Sequence, residues 1–151
     1  MRISLWLPTF THGEPDFTRL PERARLAERL GFDGVYLLDH LLPITGVHAS
    51  AWLDTTVGLA MLASSTERVT IGSASMVVGF RHPVLLAKQL ASVAVLAGPR
   101  VVLGAGPGWY AAEFDSVGHR IEERSGRTDE CLEALRLLLT GDNVSYEGRF
   151  W

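Results

Sequence analysis

Four short apolar runs, each followed by a segment with helical periodicity, restrict what this chain can fold into. The runs are residues 2–8 (RISLWLP), 34–40 (GVYLLDH), 69–79 (VTIGSASMVVG) and 100–106 (RVVLGAG). After the first, Phe17, Leu20, Ala24, Ala27 and Leu30 recur at steps of three and four, one face of a helix, and Gly31 stands where a C-terminal cap belongs. After the second, Asp54 is placed to cap a helix over 54–64. After the third, His82-Pro83 opens a helix running to about Leu96, with proline in the first turn that tolerates it. Strand then helix, repeated with short connections, predicts an α/β fold with a parallel sheet whose strands are buried on both faces. A further helix is predicted over 125–140, and the last ten residues, DNVSYEGRFW, read as a short strand or hairpin arm.

Composition excludes several classes of function. The 151 residues carry 14 basic and 17 acidic side chains, a formal net charge of −3, with no long run of either sign. This gives no electrostatic footprint for nucleic acid or an anionic membrane. Cys131 is the sole cysteine, so no disulfide framework or thiolate metal cluster forms within the chain. No signal-peptide pattern opens it and no apolar window is long enough for a bilayer, which predicts a cytoplasmic protein.

The stretch VVLGAGPGWYAAEF, 101–114, resembles the start of a dinucleotide-binding turn. A Rossmann fingerprint requires G-x-G-x-x-G after the first strand. Here the third slot falls on Trp109, the extra glycine is Gly108, and the turn follows the fourth strand, so that reading fails. Two explanations of the glycines remain: a tight turn, or a loop at the C-terminal end of a barrel strand where a cofactor approaches the backbone. Asp39-His40 ends the second strand and reads either as a cap or satisfied loop pair or as chemistry at a strand end. Ser73-Ala74-Ser75-Met76 reads as a bulge or as a platform for a flat ring. His12, His48, His82 and His119 form no metal spacing, His82 fits a helix cap, and Cys131 fits core filler.

Taken together, RHPVLLAKQLASV, GAGPGWYAAEF and RTDECLEAL, with AERLGFDGVYLLDH upstream, resemble the luciferase-like monooxygenase superfamily, most closely its branch of oxidoreductases using the deazaflavin coenzyme F420. The resemblance runs over nearly the whole chain. It implies the N-terminal half of a TIM (β/α)8 barrel, one luciferase-like domain over 1–151 with about four βα units and the C-terminal half absent. It also implies a cis peptide at Ala74-Ser75 beneath the cofactor ring. Asp39 matches a ring-contacting position, Ala74, Ser75 and Met76 the platform, and Gly106, Pro107 and Gly108 a backbone segment close to the cofactor. His40 matches a histidine near the hydride-transfer centre, a residue type whose ordinary charge change falls near neutral pH. The implied chemistry is hydride transfer between F420 and a small organic substrate; the alternatives are an FMN-dependent monooxygenase of the same superfamily and a non-catalytic half-barrel.

Two departures bear on the substrate. The glucose-6-phosphate dehydrogenases of this family carry a catalytic glutamate where this chain has Trp109, and a tryptophan where it has Ile44. Both argue against a sugar-phosphate substrate. Four strands also leave two open edges, which implies either a fragment of a longer protein or half-barrels associating as a homodimer.

Overall fold

The computed structural model describes residues 1–12, 16–44 and 51–151. Four parallel strands form the main sheet in the order β1 (Ser4–Leu7), β3 (Gly34–Leu37), β5 (Thr70–Val77) and β6 (Val101–Gly106). A two-stranded antiparallel ladder, β2 (Phe10–Thr11) with β4 (Ala51–Trp52), lies beyond β1 and before the second helix. The helices are α1 (Leu20–Arg29), α2 (Thr55–Ser65), α3 (Pro83–Ala97), α4 (Ala111–Ser116) and α5 (Arg124–Thr140). The connections are those of a partial TIM barrel, as predicted. No described helix is long and apolar enough to cross a membrane.

Strand side chains alternate between faces, and the alternation decides where the core lies. Leu7, Val35, Leu37 and Ile71 point to one face and pack against Leu20, Ala24, Leu59, Leu62, Leu86 and Leu90 of the helices. The opposite face carries Trp6, Tyr36, Gly72 and Val102, and there Trp6 is 41% and Val102 44% exposed. The expectation of strands buried on both faces therefore holds for one face only. Four strands do not close on themselves, so the face that lines a barrel's interior has no opposing layer among the described residues.

The predicted caps form. Asp54 accepts from the backbone N–H of Thr56 at 2.9 Å and Val57 at 3.1 Å, and His82 Nδ1 accepts from Val84 N–H at 3.3 Å before Pro83 begins α3. Gly31 adopts φ +86°, the left-handed geometry that lets Phe32 N–H return to the Ala27 carbonyl at 3.1 Å and close α1. Residues 142–151 form no strand, contrary to expectation. They lie along α5, where Glu130 accepts from the N–H groups of Arg149 (3.0 Å) and Phe150 (2.8 Å), and Arg127 stacks on the Phe150 ring at 4.6 Å. Two of its backbone donors are thus held by one carboxylate of α5, and none of its residues joins a described strand.

At the end of the sheet where the strands begin, Glu28 at the foot of α1 accepts from the N–H groups of Glu67, Arg68 and Val69, fixing the turn into β5. Partial burial pushes its carboxyl up, and the bonds from Val69, Arg68 and Glu67 more than reverse this, holding it below the usual carboxylate range. A depressed folded-state pKa contributes stability that is full above the unfolded value and lost as pH falls through the folded one. Glu28→Gln is expected to lower stability by about 1 kcal/mol at neutral pH. The gap from wild type should close as pH drops below the ordinary 4.5, read from urea midpoints of the full-length protein.

Candidate active site

The C-terminal ends of β3, β5 and β6 converge on one cleft of about 470 Å³, within the range of small-molecule sites. β3 delivers Leu38, Asp39 and His40, β5 delivers Ala74, Ser75 and Val77, and the segment after β6 delivers Gly106, Pro107, Gly108 and Trp109. Of the residues singled out from sequence, all but Met76 line it. β5 pairs Ser73 with Leu103 but Met76 with Ala105, so two residues, Ala74 and Ser75, stand opposite one. This is a β-bulge, the Ala74-Ser75 peptide within it is cis, and both side chains are exposed. The bulge also resets the alternation, which turns Met76 away from the cleft and into the core, fully buried.

The glycines of the β6 turn answer to their neighbours in the chain. A Cβ on Gly104 would lie 2.2 Å from the Ser73 carbonyl oxygen, and one on Gly106 would lie 2.4 Å from Ser75 Oγ. Gly108 has φ +77° and packs against Val77 and Phe114. Bare backbone at these positions lets β6 close on the bulged β5. The resulting floor of Ala74, Ser75, Gly106, Pro107 and Gly108 lacks bulky side chains. A planar heteroaromatic ring fits such a floor, with Leu38, Val77 and Trp109 as apolar walls.

Asp39 is 3% exposed and its carboxylate is filled by protein donors. Oδ1 accepts from Thr55 Oγ1 and Arg81 Nη2, both at 2.8 Å, while Oδ2 accepts from Val77 N–H at 2.9 Å and Arg81 Nη1 at 2.7 Å. Arg81 also reaches Asp54 Oδ2 at 3.1 Å. Burial works against the guanidinium charge, and Asp39 and then Asp54 more than restore it, so its pKa is raised. Partial desolvation pushes the Asp54 carboxyl up, but Thr56, Val57 and Arg81 hold it below the usual range.

His40 adjoins a residue the sequence reading missed. Glu113, on the first turn of α4 and 1% exposed, places Oε1 3.0 Å and Oε2 3.2 Å from His40 Nδ1. Its Oε1 also accepts the N–H groups of Leu41 at 2.6 Å and Leu42 at 3.1 Å. Burial alone would push the Glu113 carboxyl up; the bonds from His40, Leu42 and Leu41 outweigh it and hold the group below its ordinary value. Around the imidazole stand aromatic rings, with centroids 4.5 Å away for Trp52 and 6.0 Å for Trp109, and Phe10 lies 5.0 Å beyond Trp52. A glutamate four residues after the Gly108-Trp109 turn was the available signal for Glu113, but its partners are over 70 positions away. None of the other described histidines lines the cleft: His82 caps α3, His119 sits beside Trp151 and His12 is on the β2 side. His48 lies outside the described residues. No cluster among the described residues could hold a metal. Burial raises the Cys131 thiol to about 11, consistent with core packing rather than a reactive thiolate.

A family model for luciferase-like monooxygenases matches residues 1–151. An F420-dependent glucose-6-phosphate dehydrogenase of Amycolatopsis mediterranei is 34% identical over 141 residues, covering 87% of this chain and 40% of that protein. An FMNH(2)-dependent dimethylsulfone monooxygenase of Pseudomonas putida is 29% identical over 167 residues, covering 100% of this chain and 44% of that one. The crystal structure of monooxygenase RslO1 from Streptomyces bottropensis superposes with a TM-score of 0.88 at 29% identity, over 100% of this chain and 46% of that chain. The chain thus spans less than half the length of these relatives.

The Asp39–Arg81 pair yields a stability prediction. Arg81→Met strands a buried carboxylate and is expected to cost about 3–5 kcal/mol in urea unfolding of the full-length protein. Adding Asp39→Asn should recover part of that loss, giving a coupling that a double-mutant cycle measures.

Proposed function

Because the chain belongs to the luciferase-like monooxygenase family, we propose that it is the cofactor-bearing N-terminal half of an oxidoreductase that transfers a hydride between F420 and a small organic substrate. The observation that carries this reading is the cleft itself: a floor of bulge and glycine backbone without bulky side chains, with His40 held at its rim. Ala74, Ser75, Gly106, Pro107 and Gly108 would hold the ring, and Asp39 would keep the bulge in place through Val77 N–H. When bound, the deazaflavin supplies or accepts the hydride at its C5, a capacity that belongs to the cofactor. The protein's part is the proton. If an alcohol is oxidised, its carbon gives up the hydride and its hydroxyl proton passes to His40; in reduction His40 returns that proton to the carbonyl oxygen.

Trp109 and Ile44 stand where the sugar-phosphate dehydrogenases carry glutamate and tryptophan. Among the described residues no lysine or arginine lines the cleft, and Trp109 and Trp52 flank His40, which favours an uncharged, apolar substrate over a sugar phosphate. A second reading, FMN-dependent monooxygenation, is supported by the match to the dimethylsulfone enzyme, which covers all of this chain and 44% of that protein.

Fluorescence titration of the full-length protein separates the two. Saturable binding of F420 with none of FMN at equal concentration is expected; FMN binding alone would favour the monooxygenase, and binding of neither would remove both. With the cofactor bound, glucose 6-phosphate is expected not to be turned over. His40→Ala should keep cofactor affinity and lose roughly 10²–10⁴-fold in turnover, the usual share of a general acid–base.

A further inference from the structure

We infer that Glu113 is a positioning residue that fixes the tautomer of His40 and makes Nε2 the atom that exchanges protons at the cleft. The inference deepens the reading above and rests on it for the use to which that proton is put.

Glu113 lies on α4, far in sequence from His40, yet its carboxylate joins three consecutive residues of the β3 exit. The backbone N–H groups of Leu41 and Leu42 both converge on Oε1, which fixes the carboxylate plane and leaves Oε2 free of any backbone donor. The ring of His40 then meets that carboxylate edge with Nδ1. An ionised carboxylate has only lone pairs to offer, so a short contact to it requires the proton on Nδ1. In a neutral imidazole the other nitrogen is then the acceptor. No described residue hydrogen-bonds Nε2, and His40 borders the cleft floor between Leu38 and Trp109. Trp52 and Trp109 against the ring restrict its rotation. The arrangement has the logic of an oriented histidine, in which a buried acid sets the tautomer and steadies the protonated ring without exchanging the substrate's proton itself.

Glutamine at 113 separates positioning from scaffolding. Its side-chain carbonyl keeps the two backbone N–H groups of Leu41 and Leu42, so the amide must turn its NH2 toward Nδ1. That donor demands a bare Nδ1 and moves the ring proton to Nε2. The loop stays capped while the cleft-facing nitrogen loses its lone pair.

The test is ¹⁵N NMR of the full-length protein labelled in histidine, with the ring neutral, alongside steady-state kinetics. Wild type is expected to show the His40 Nδ1–H tautomer, and Glu113→Gln the Nε2–H tautomer. The variant should bind cofactor as wild type does and lose about 10²–10⁴-fold in kcat for substrate oxidation with little change in KM, as expected of a histidine in the wrong tautomer. A wild-type His40 protonated on Nε2 overturns the inference, and that measurement needs no variant to fold. An unchanged tautomer in Glu113→Gln also overturns it. A switched tautomer with undiminished kcat overturns the inference as well, because Nε2 would then not be the atom that exchanges protons.

Discussion

The Asp39 carboxylate receives four hydrogen bonds from three separate segments: Thr55 at the start of α2, Val77 at the end of β5, and Arg81 ahead of α3. A carboxylate buried this deeply is costly unless every lone pair is used and its charge is matched. The consequence is rigidity. The exit of β3, the bulged end of β5 and the first turn of α2 are bound to one group that tolerates no loosening. His40 is the next residue along, so its backbone position is fixed by the same network.

A second buried carboxylate, Glu113, stands on the other side of His40, and the two differ in their partners. Asp39 faces a guanidinium, which stays charged at any pH the protein will meet. Glu113 faces an imidazole nitrogen and two backbone N–H groups. The first carboxylate ties separate segments of the scaffold together, while the second orients a ring at the edge of the cleft.

Much of this was legible in the chain because it is local. Apolar runs ending at 38–40, 73–76 and 104–108 mark where strands stop, and in a barrel-like α/β fold strand ends are where sites form. The caps at Asp54 and His82, and the left-handed Gly31, are likewise short-range. What escaped depends on contacts across the fold. Glu113 reaches His40 over 73 positions and Arg81 reaches Asp39 over 42, and neither leaves a periodic trace. Met76 was misplaced because the bulge inserts one residue and inverts the facing of everything after it. The tail from 142 to 151 looks like a strand by composition, but it lies along α5, where Glu130 takes the backbone donors of Arg149 and Phe150.

The uncovered inner face of the sheet bears on how the chain meets other strands. Among the described residues Trp6 and Val102 are open to solvent and the outer edges of β1 and β6 are unpaired, so these four units have a packed outer core and an exposed inner face. Such an edge is a template for a further strand, whether from the same chain or from another. Pairing within one chain is independent of concentration and pairing between chains is not, so dilution favours the first over the second.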